Sequence, residues 1–185
     1  MITLLNGKGQ LGEQLKKDIS NIKNVESYDA YIYHTWNVLD KTKPTQVEEY
    51  EKFKKFVDSH INDRVIFIST LSENETSYRD YKLLSEKYLL EKCKNSIVVR
   101  LPIIIGKGII SDFKNNKRKP YGKMNIISLK NASKSILNLF NKEIDHGDVV
   151  KCYSHTKGEN MNPRILECRG EEVSAELIYN ITQVK

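Results

Sequence analysis

Short apolar runs alternate with longer amphipathic segments over residues 1–101 of the chain. The runs hold three to five residues, mostly Ile, Val, Leu and Tyr, and are typical of buried strands. The segments between them repeat apolar residues every three or four positions, which predicts helices that each bury one face. The predicted strands are residues 2–5, 31–33, 65–68 and 97–101, and the predicted helices are residues 10–20, 45–60 and 78–94.

This alternation of strand and helix predicts an α/β fold in which a parallel sheet carries helices on both faces. About sixteen residues separate Gly12 from the second apolar run. The interval is too short for a helix followed by a further strand and helix. Either a short strand therefore lies at residues 24–29, or the sheet is one β–α unit short.

The pattern is less regular after Gly108. Residues 111–123, SDFKNNKRKPYGK, are polar and basic and are predicted to be an exposed loop. A helix is predicted in the second half of residues 127–140, whereas residues 149–153 and 172–181 do not distinguish a helix from a strand. We expect this part of the chain to form a small α+β portion beside the sheet.

Composition and charge narrow the class of protein. The chain of 185 residues is 39% hydrophobic and 29% charged, as expected for a single folded domain. No window approaches the ~20 apolar residues of a membrane-spanning helix, and no targeting segment is evident, so a cytoplasmic location away from membranes is expected. Isolated cysteines and histidines favour no metal site. The net charge of +6 suits an anionic partner, either a nucleotide or a nucleic acid.

Three glycines, Gly7, Gly9 and Gly12, follow the first predicted strand and open the first predicted helix. In this context the first glycine permits a tight turn, the second lets the backbone approach a pyrophosphate, and the third allows close packing of helix on strand. The helix N-terminus adds free N–H groups and the positive end of its dipole. The motif therefore predicts a phosphate-binding turn, and the alternative is a strand–helix turn that binds nothing.

A second group of residues suits acid–base chemistry. The third predicted strand leads into Ser69 and Thr70, and Tyr78 and Lys82 follow with the four-residue spacing that shares one helix face. A positive charge ~4 Å from a phenol, at an effective dielectric constant of ~20, is worth ~4 kcal/mol, or about three pKa units. Such a pair brings the phenol pKa towards the range of general acid–base catalysis.

The Tyr-x-x-x-Lys spacing alone has little specificity, since four of the ten tyrosines have a lysine four residues later. Only Tyr78 also follows a Ser-Thr strand end and precedes a strand that contains Arg100-Leu-Pro. The other three pairs are interpreted as solvated helix faces or loop residues.

In their order and spacing these motifs resemble the extended short-chain dehydrogenase/reductase family of nucleotide-sugar epimerases, dehydratases and reductases. The first motif is similar to the nucleotide-binding glycine turn of dTDP-4-dehydrorhamnose reductases. The motifs are ITLLNGKGQLG (residues 2–12), FIST (67–70), SYRDYKLLSEKYL (77–89), VVRLPIIIGKG (98–108) and ISLKNASKSILNLF (127–140).

The resemblance implies a Rossmann-like fold, NAD or NADP as cofactor, and a nucleotide-linked sugar as substrate. It implies that Tyr78 is the acid–base residue, that Lys82 binds the nicotinamide ribose and lowers the Tyr78 pKa, and that Thr70 or Ser69 polarises the substrate. The implied cofactor contacts are Gly7, Lys8, Gly9, Gln10, Leu11, Gly12, His34, Trp36, Lys82 and Pro102. The implied substrate contacts are Lys107, Lys114 and Arg118.

The resemblance also implies a domain organisation and an oligomeric state. Residues 1–185 are expected to form one domain, with a nucleotide-binding core at residues 1–108 and a reduced substrate-side portion at residues 109–185. Family members often dimerise through the helices that correspond to residues 45–60 and 78–94, so a homodimer is expected here.

Several residues depart from the family pattern. Leu101 interrupts the Arg-Pro pair, Lys107 stands where proline is common, and Asn131 stands where the family tends to have aspartate. YHTWN at residues 33–37 replaces a small, often alanine-rich segment. A second hypothesis is therefore a catalytically lapsed Rossmann-like subunit that binds a nucleotide or an active partner.

A third hypothesis is a basic nucleic-acid-binding domain that uses residues 114–123. It is disfavoured because no aromatic side chain other than Tyr121 is interleaved with this basic cluster, and no nucleic-acid-binding motif is recognised.

Overall fold

The computed structural model of the chain describes residues 1–5, 7–21, 30–140, 164–168 and 170–183, except the side chains of residues 107 and 109. In chain order its elements are β1 (Ile2–Leu4), α1 (Gln10–Ile19), β2 (Ala30–Tyr33), α2 (Lys43–Ser59), β3 (Arg64–Thr70), α3 (Ser77–Lys92), β4 (Ile97–Leu101), β5 (Ile103–Ile105), α4 (Lys107–Lys114), β6 (Lys123–Ser128), α5 (Leu129–Leu137), a 3-10 turn (Asn138–Phe140), β7 (Ile165–Glu167), β8 (Glu171–Ser174) and α6 (Ala175–Gln183).

The main sheet is parallel throughout, with the strand order β1-β2-β3-β4-β7. Leu4 lies opposite Ile32, Ile32 lies opposite Ile66, and Phe67 lies opposite Val98. The predicted α/β class is therefore confirmed, as is the adjacency of the first four predicted strands. Each of these strands was recognisable because both of its faces are buried, which requires a nearly continuous apolar run.

Each face of the sheet is covered by a different pair of helices. α1 and α5 cover one face, where Leu15 and Ile136 pack against the strand residues Ile32 and Ile66. α2 and α3 cover the other face. There Phe53 and Leu89 pack against strand residues, since every second side chain of a strand points to the same face. These strand residues are Tyr33, Val65, Phe67 and Val98.

The sheet is short on the β1 side, as predicted. In the usual dinucleotide-binding order, 3-2-1-4-5-6, two strands lie beyond the first, and the described residues fill neither position. The predicted alternative strand at residues 24–29 lies outside the described residues. Strands β1 to β4 step across the sheet in one direction, yet α1 covers the face opposite to α2 and α3.

The second sheet has the order β5-β6-β8, with α4 and α6 packed beside it. The predicted exposed loop at residues 111–123 is wrong at both ends, because α4 continues to Lys114 and β6 begins at Lys123. Burial of Phe113 against Met124 and Ile178 stabilises the helical end. The predicted helix within residues 127–140 is confirmed as α5.

Two further findings concern the remaining segments. Residues 172–181, for which the sequence does not distinguish a helix from a strand, contain the end of β8 and most of α6, whereas residues 149–153 lie outside the described ranges.

None of the described helices combines the length and the apolar character that a membrane crossing requires.

Candidate functional site

The glycine turn between β1 and α1 has the backbone features that the motif predicts. Gly9 precedes the first helical residue with φ 87°, a conformation that favours glycine, and nothing lies within 4 Å of the position a Cβ would take. A Cβ on Gly12 would lie 2.5 Å from the carbonyl carbon of Gly7 and 2.5 Å from His34 Nε2. Helix and strand therefore approach each other closely at Gly12, while Gly9 faces open space.

The remaining residues of this turn differ in their surroundings. Lys8 is exposed, and Leu11 packs against the α1 side of the core. The side chain of Gln10 lies directly against Gly106, where any Cβ would clash with it. Gln10 therefore holds the turn before α4 next to the turn before α1.

His34 lies just after β2, on the face of the sheet that α1 covers. Its Nε2 atom is buried against Gly12 and has no hydrogen-bond partner among the described residues. Burial lowers the pKa of His34, and the nearby charges of Lys82 and Lys16 lower it further. A neutral imidazole with a spare nitrogen thus borders the glycine turn.

Tyr78 and Thr70 meet at the carboxyl end of β3. Thr70 lies close enough to lower the pKa of the Tyr78 phenol, and its hydroxyl accepts a hydrogen bond of 3.0 Å from the backbone N–H of Ser72. Burial raises the pKa of Tyr78 to about 12, against the smaller lowering effect of Thr70. The predicted lowering of this pKa by Lys82 is therefore wrong for the structure as it stands.

The reason is the position of the Lys82 ammonium. Lys82 is buried and donates a hydrogen bond of 2.8 Å to the carbonyl oxygen of Ile68. Its Nζ lies 4.4 Å from the centroid of the Trp36 ring and 4.5 Å from that of Phe67, but 6.0 Å from that of Tyr78. Burial lowers the pKa of Lys82 to about 7.

Ser69, the other predicted candidate, lies apart from this group. Successive residues of a strand point to opposite sides, and the Ser69 hydroxyl donates a hydrogen bond of 2.5 Å to Glu86. Glu86 also accepts hydrogen bonds from the guanidinium of Arg100, the shortest of 2.6 Å, and Arg100 in turn binds Glu167 at 3.1 Å. Ser69 is thus part of a buried ionic network, and Thr70 is the residue placed beside Tyr78.

The other predicted contacts lie in different parts of the molecule. Trp36 lies on the α2 side, where its Nε1 donates a hydrogen bond of 2.7 Å to Gln46. Pro102 is buried between β4 and β5. Lys114 and Arg118 are exposed, at the end of α4 and in the loop that follows it. Lys107 begins α4, and its side chain is outside the described part.

Sequence reasoning missed two residues near Tyr78 and Lys82. Gln46 is completely buried within the first turn of α2, and Lys41 places its Nζ 5.8 Å from the centroid of the Tyr78 ring. Neither has a sequence signal, since a glutamine and a lysine near the start of a helix are usually solvated. Within the described ranges, no three His, Cys, Asp or Glu side chains are grouped so that they could hold a metal ion.

The sequence matches no protein-family model and no curated protein, but solved structures share the fold. A dTDP-4-dehydrorhamnose reductase of Clostridium acetobutylicum matches with a TM-score of 0.69 and 16% identity, over 100% of this chain and 81% of that one. The reductase of the same name from Bacillus anthracis, in complex with NADP, gives 0.66 and 12% over 100% and 81%. The Bordetella bronchiseptica enzyme WbmG, in complex with NAD and UDP, gives 0.63 and 13% over 98% and 76%.

These similarities establish the fold that the sequence motifs implied. The chain is shorter than each of the three proteins, in agreement with a sheet that is short on the β1 side.

Proposed function

We propose that this chain is an NAD(P)-dependent oxidoreductase of the reductase or epimerase type that acts on a nucleotide-linked sugar. The observation that carries the proposal is the placement of Tyr78 beside Thr70 at the carboxyl end of β3, with Lys82 one helical turn further on. Ligands of open α/β sheets bind at the carboxyl ends of the strands. Proteins of the same fold supply the ligand class, since they were solved with NADP or with NAD and UDP.

The residues around the glycine turn fit the pyrophosphate of such a cofactor. Gly9 leaves open space in front of the N-terminus of α1, where backbone N–H groups favour an anion. The unpartnered Nε2 of His34 offers a further polar contact at the same turn. When bound, the nicotinamide of the cofactor supplies or accepts the hydride.

The state of Tyr78 favours reduction of a carbonyl group. With a pKa raised to about 12, the phenol holds its proton at neutral pH and can donate it to a developing alkoxide. Thr70, beside the same phenol, is the candidate to orient the carbonyl oxygen. Lys107, Lys114 and Arg118 remain candidate contacts for the substrate diphosphate.

A second candidate function is a subunit that binds a nucleotide or an active partner without turnover. The observation that favours it is the burial of Lys82 beneath Trp36. A lysine in this position cannot contact a ribose unless Trp36 moves, and its Nζ lies 6.0 Å from the centroid of the Tyr78 ring.

Titration with NADH and with NADPH, followed by nicotinamide fluorescence, tests the first half of the proposal. Binding of either at micromolar concentration supports a dinucleotide site, and turnover of a dTDP- or UDP-linked 4-keto sugar that depends on Tyr78 supports the enzyme. Binding without any turnover favours the second candidate. Absence of binding by both dinucleotides contradicts the proposed NAD(P)-dependent oxidoreductase and leaves the glycine motif as a structural turn.

A further inference from the structure

The residues between β2 and α2 cover the candidate site at Lys82. The Trp36 ring lies against the Lys82 ammonium, 4.4 Å from centroid to Nζ, and Phe67 closes the other side at 4.5 Å. A cation held against the faces of aromatic rings is stabilised by their quadrupoles, and more so where water is excluded.

The same segment also reaches Tyr78. Lys41, near its other end, holds its Nζ 5.8 Å from the centroid of the Tyr78 ring. Between the two ends, Val38 is 52% exposed and Leu39 is 93% exposed. Residues 36–42, called the lid segment below, thus lie over both Lys82 and Tyr78 with an apolar tip in solvent.

Three residues of α2 attach the lid segment to the domain. Glu49 accepts a hydrogen bond of 3.2 Å from the backbone N–H of Asn37, Thr45 donates one of 2.6 Å to Asp40, and the buried Gln46 forms the others. Gln46 accepts a hydrogen bond of 2.7 Å from Trp36 Nε1 and donates to the carbonyl oxygens of Asn37 (3.0 Å) and Asp40 (2.5 Å). These three bonds of Gln46 all involve its one amide, and the residue is 0% exposed. Losing this amide removes the polar anchor that holds Trp36 over Lys82.

Within the lid segment, short-range hydrogen bonds maintain its shape. Asn37 Oδ1 accepts from the backbone N–H groups of Leu39 (3.1 Å) and Asp40 (3.0 Å), and Asp40 Oδ1 accepts from that of Thr42 (2.9 Å). Because these bonds lie inside the segment, it can leave the domain surface as one body without breaking them.

We propose that residues 36–42 form a lid that is closed over the candidate site, that Trp36 controls access to Lys82, and that Gln46 is its positioning residue. The ligand class, a nicotinamide dinucleotide, rests on the proposed function, whereas the closed cover rests on the contacts above. A ligand that reaches Lys82 must displace Trp36. Its apparent affinity is therefore its affinity for the open form multiplied by the fraction of molecules that are open.

Chemical labelling of the ligand-free protein tests the lid. Brief acetylation with acetic anhydride at pH 8, read by peptide mass spectrometry, compares Lys82 with Lys87, which lies exposed on the same helix. In the wild type we expect Lys82 to be strongly protected. Trp36→Ala should raise its labelling about tenfold or more, since the ring that covers Lys82 and the hydrogen bond to Gln46 that favours the closed state are lost.

Matched variants separate opening from misfolding. Gln46→Met keeps the side-chain volume but removes the amide, and should also increase Lys82 labelling. Trp36→Phe keeps an aromatic ring without the indole N–H and should give a smaller increase. Tyr121→Ala removes a 92% exposed aromatic side chain elsewhere and should change nothing. Circular dichroism must show native helix content for each variant that is compared.

Dinucleotide binding gives the second readout. If a lid controls the site, Trp36→Ala should bind NADH or NADPH more tightly than the wild type does, and the ligand should increase acrylamide quenching of Trp36, the only tryptophan. Rapid labelling of Lys82 in the wild type, or unchanged protection in Trp36→Ala, overturns the lid whatever the dinucleotides do. Altered labelling with no binding of either dinucleotide supports the lid and contradicts the proposed function.

Discussion

The ammonium of Lys82 donates its hydrogen bond to the carbonyl oxygen of Ile68, at 2.8 Å, rather than to a carboxylate. Among the residues that the structure describes, no carboxylate forms an ion pair with Lys82, although the more distant Glu86 and Glu49 favour its charged form. Burial outweighs both and lowers the pKa of Lys82 to about 7. Lys82 therefore binds a proton less readily in the folded state than in the unfolded chain.

This difference predicts a pH dependence of stability. Between about pH 7 and pH 10.5 the unfolded state binds more protons at Lys82 than the folded state, so the free energy of unfolding should rise with pH. Relative to Lys82→Met, which cannot titrate, the wild type should gain about 1.4 kcal/mol per pH unit in the middle of this range. Urea denaturation at pH 7.5, 8.5 and 9.5 measures the difference.

Lys87→Met is the control for this measurement, because Lys87 lies exposed on the same helix. The free energy of unfolding of Lys87→Met should change with pH as that of the wild type does, so the difference between the two should be the same at all three pH values. A wild-type curve parallel to that of Lys82→Met would show that the pKa of Lys82 is not depressed.

The ionic network behind the site predicts a large loss of stability in Glu86→Gln. The Glu86 side chain is 4% exposed and binds both Ser69 and Arg100. Removing one partner of a buried ion pair leaves the other uncompensated, which costs ~3–5 kcal/mol. The loss should lie at the low end of this range because Arg100 keeps its bond to Glu167.

Glu51→Gln is the matched control, since Glu51 pairs with Lys54 at the surface of α2. Exposed pairs of this kind contribute ~0–1 kcal/mol. Equal losses in the two variants, measured by urea denaturation at pH 7, would contradict a stabilising role for the buried network.

The main sheet could be predicted from the sequence because local pattern and burial coincide in its strands. β1 to β4 are apolar runs, and α1 to α3 each repeat apolar residues with helical spacing, so no long-range information was needed. α4 was missed because the polar sequence around Phe113 hides a helix that is stabilised by contacts with the distant α6. The pairing of β4 with β7 likewise joins segments more than 60 residues apart.

The candidate site was predicted as a set of residues but not as an arrangement. The sequence could not separate Ser69 from Thr70, since the choice depends on which of them lies beside Tyr78. It also could not show where the Lys82 ammonium points, because that depends on Trp36 and on a loop held by Gln46. The predicted pKa effect assumed a charged ammonium ~4 Å from the phenol, whereas Lys82 Nζ lies 6.0 Å from the Tyr78 ring centroid and burial lowers the pKa of Lys82 to about 7.

We propose that the chain forms a homodimer through the paired helices α2 and α3. Their outer surface includes Val47 and Leu84, which are 37% and 45% exposed, and the rings of Tyr50 and Tyr81, 5.9 Å apart. Burial of these apolar groups against a second copy favours association. Light scattering at ~100 μM should detect a dimer, since this concentration exceeds most specific dissociation constants.

Leu84→Glu should shift this equilibrium towards monomer by placing a charge in the interface. Leu177→Glu is the control, because Leu177 is 56% exposed on α6, away from the two helices. A wild type that stays monomeric at this concentration, or an equal effect of the two variants, would exclude these helices as the dimer interface.

The role of Tyr78 predicts a selective loss of activity in Tyr78→Phe. The ring still packs between Lys41 and Lys82, and only the hydroxyl beside Thr70 is lost. Turnover of the nucleotide-linked sugar should fall by ~10²–10⁴, the usual contribution of a positioned proton donor. The dissociation constant for NADH or NADPH should stay within about twofold, since a neutral phenol contributes at most one hydrogen bond to binding.

Tyr88→Phe is the matched control for this prediction, because Tyr88 also precedes a lysine by four residues. Its hydroxyl binds Asp58 at 2.6 Å on the outer surface of α2 and α3, so its loss should leave both turnover and binding unchanged. Equal rates for Tyr78→Phe and the wild type would assign the proton transfer to another group. A loss of binding together with turnover would instead make Tyr78 a ligand contact, because a proton donor acts on the rate and not on the affinity.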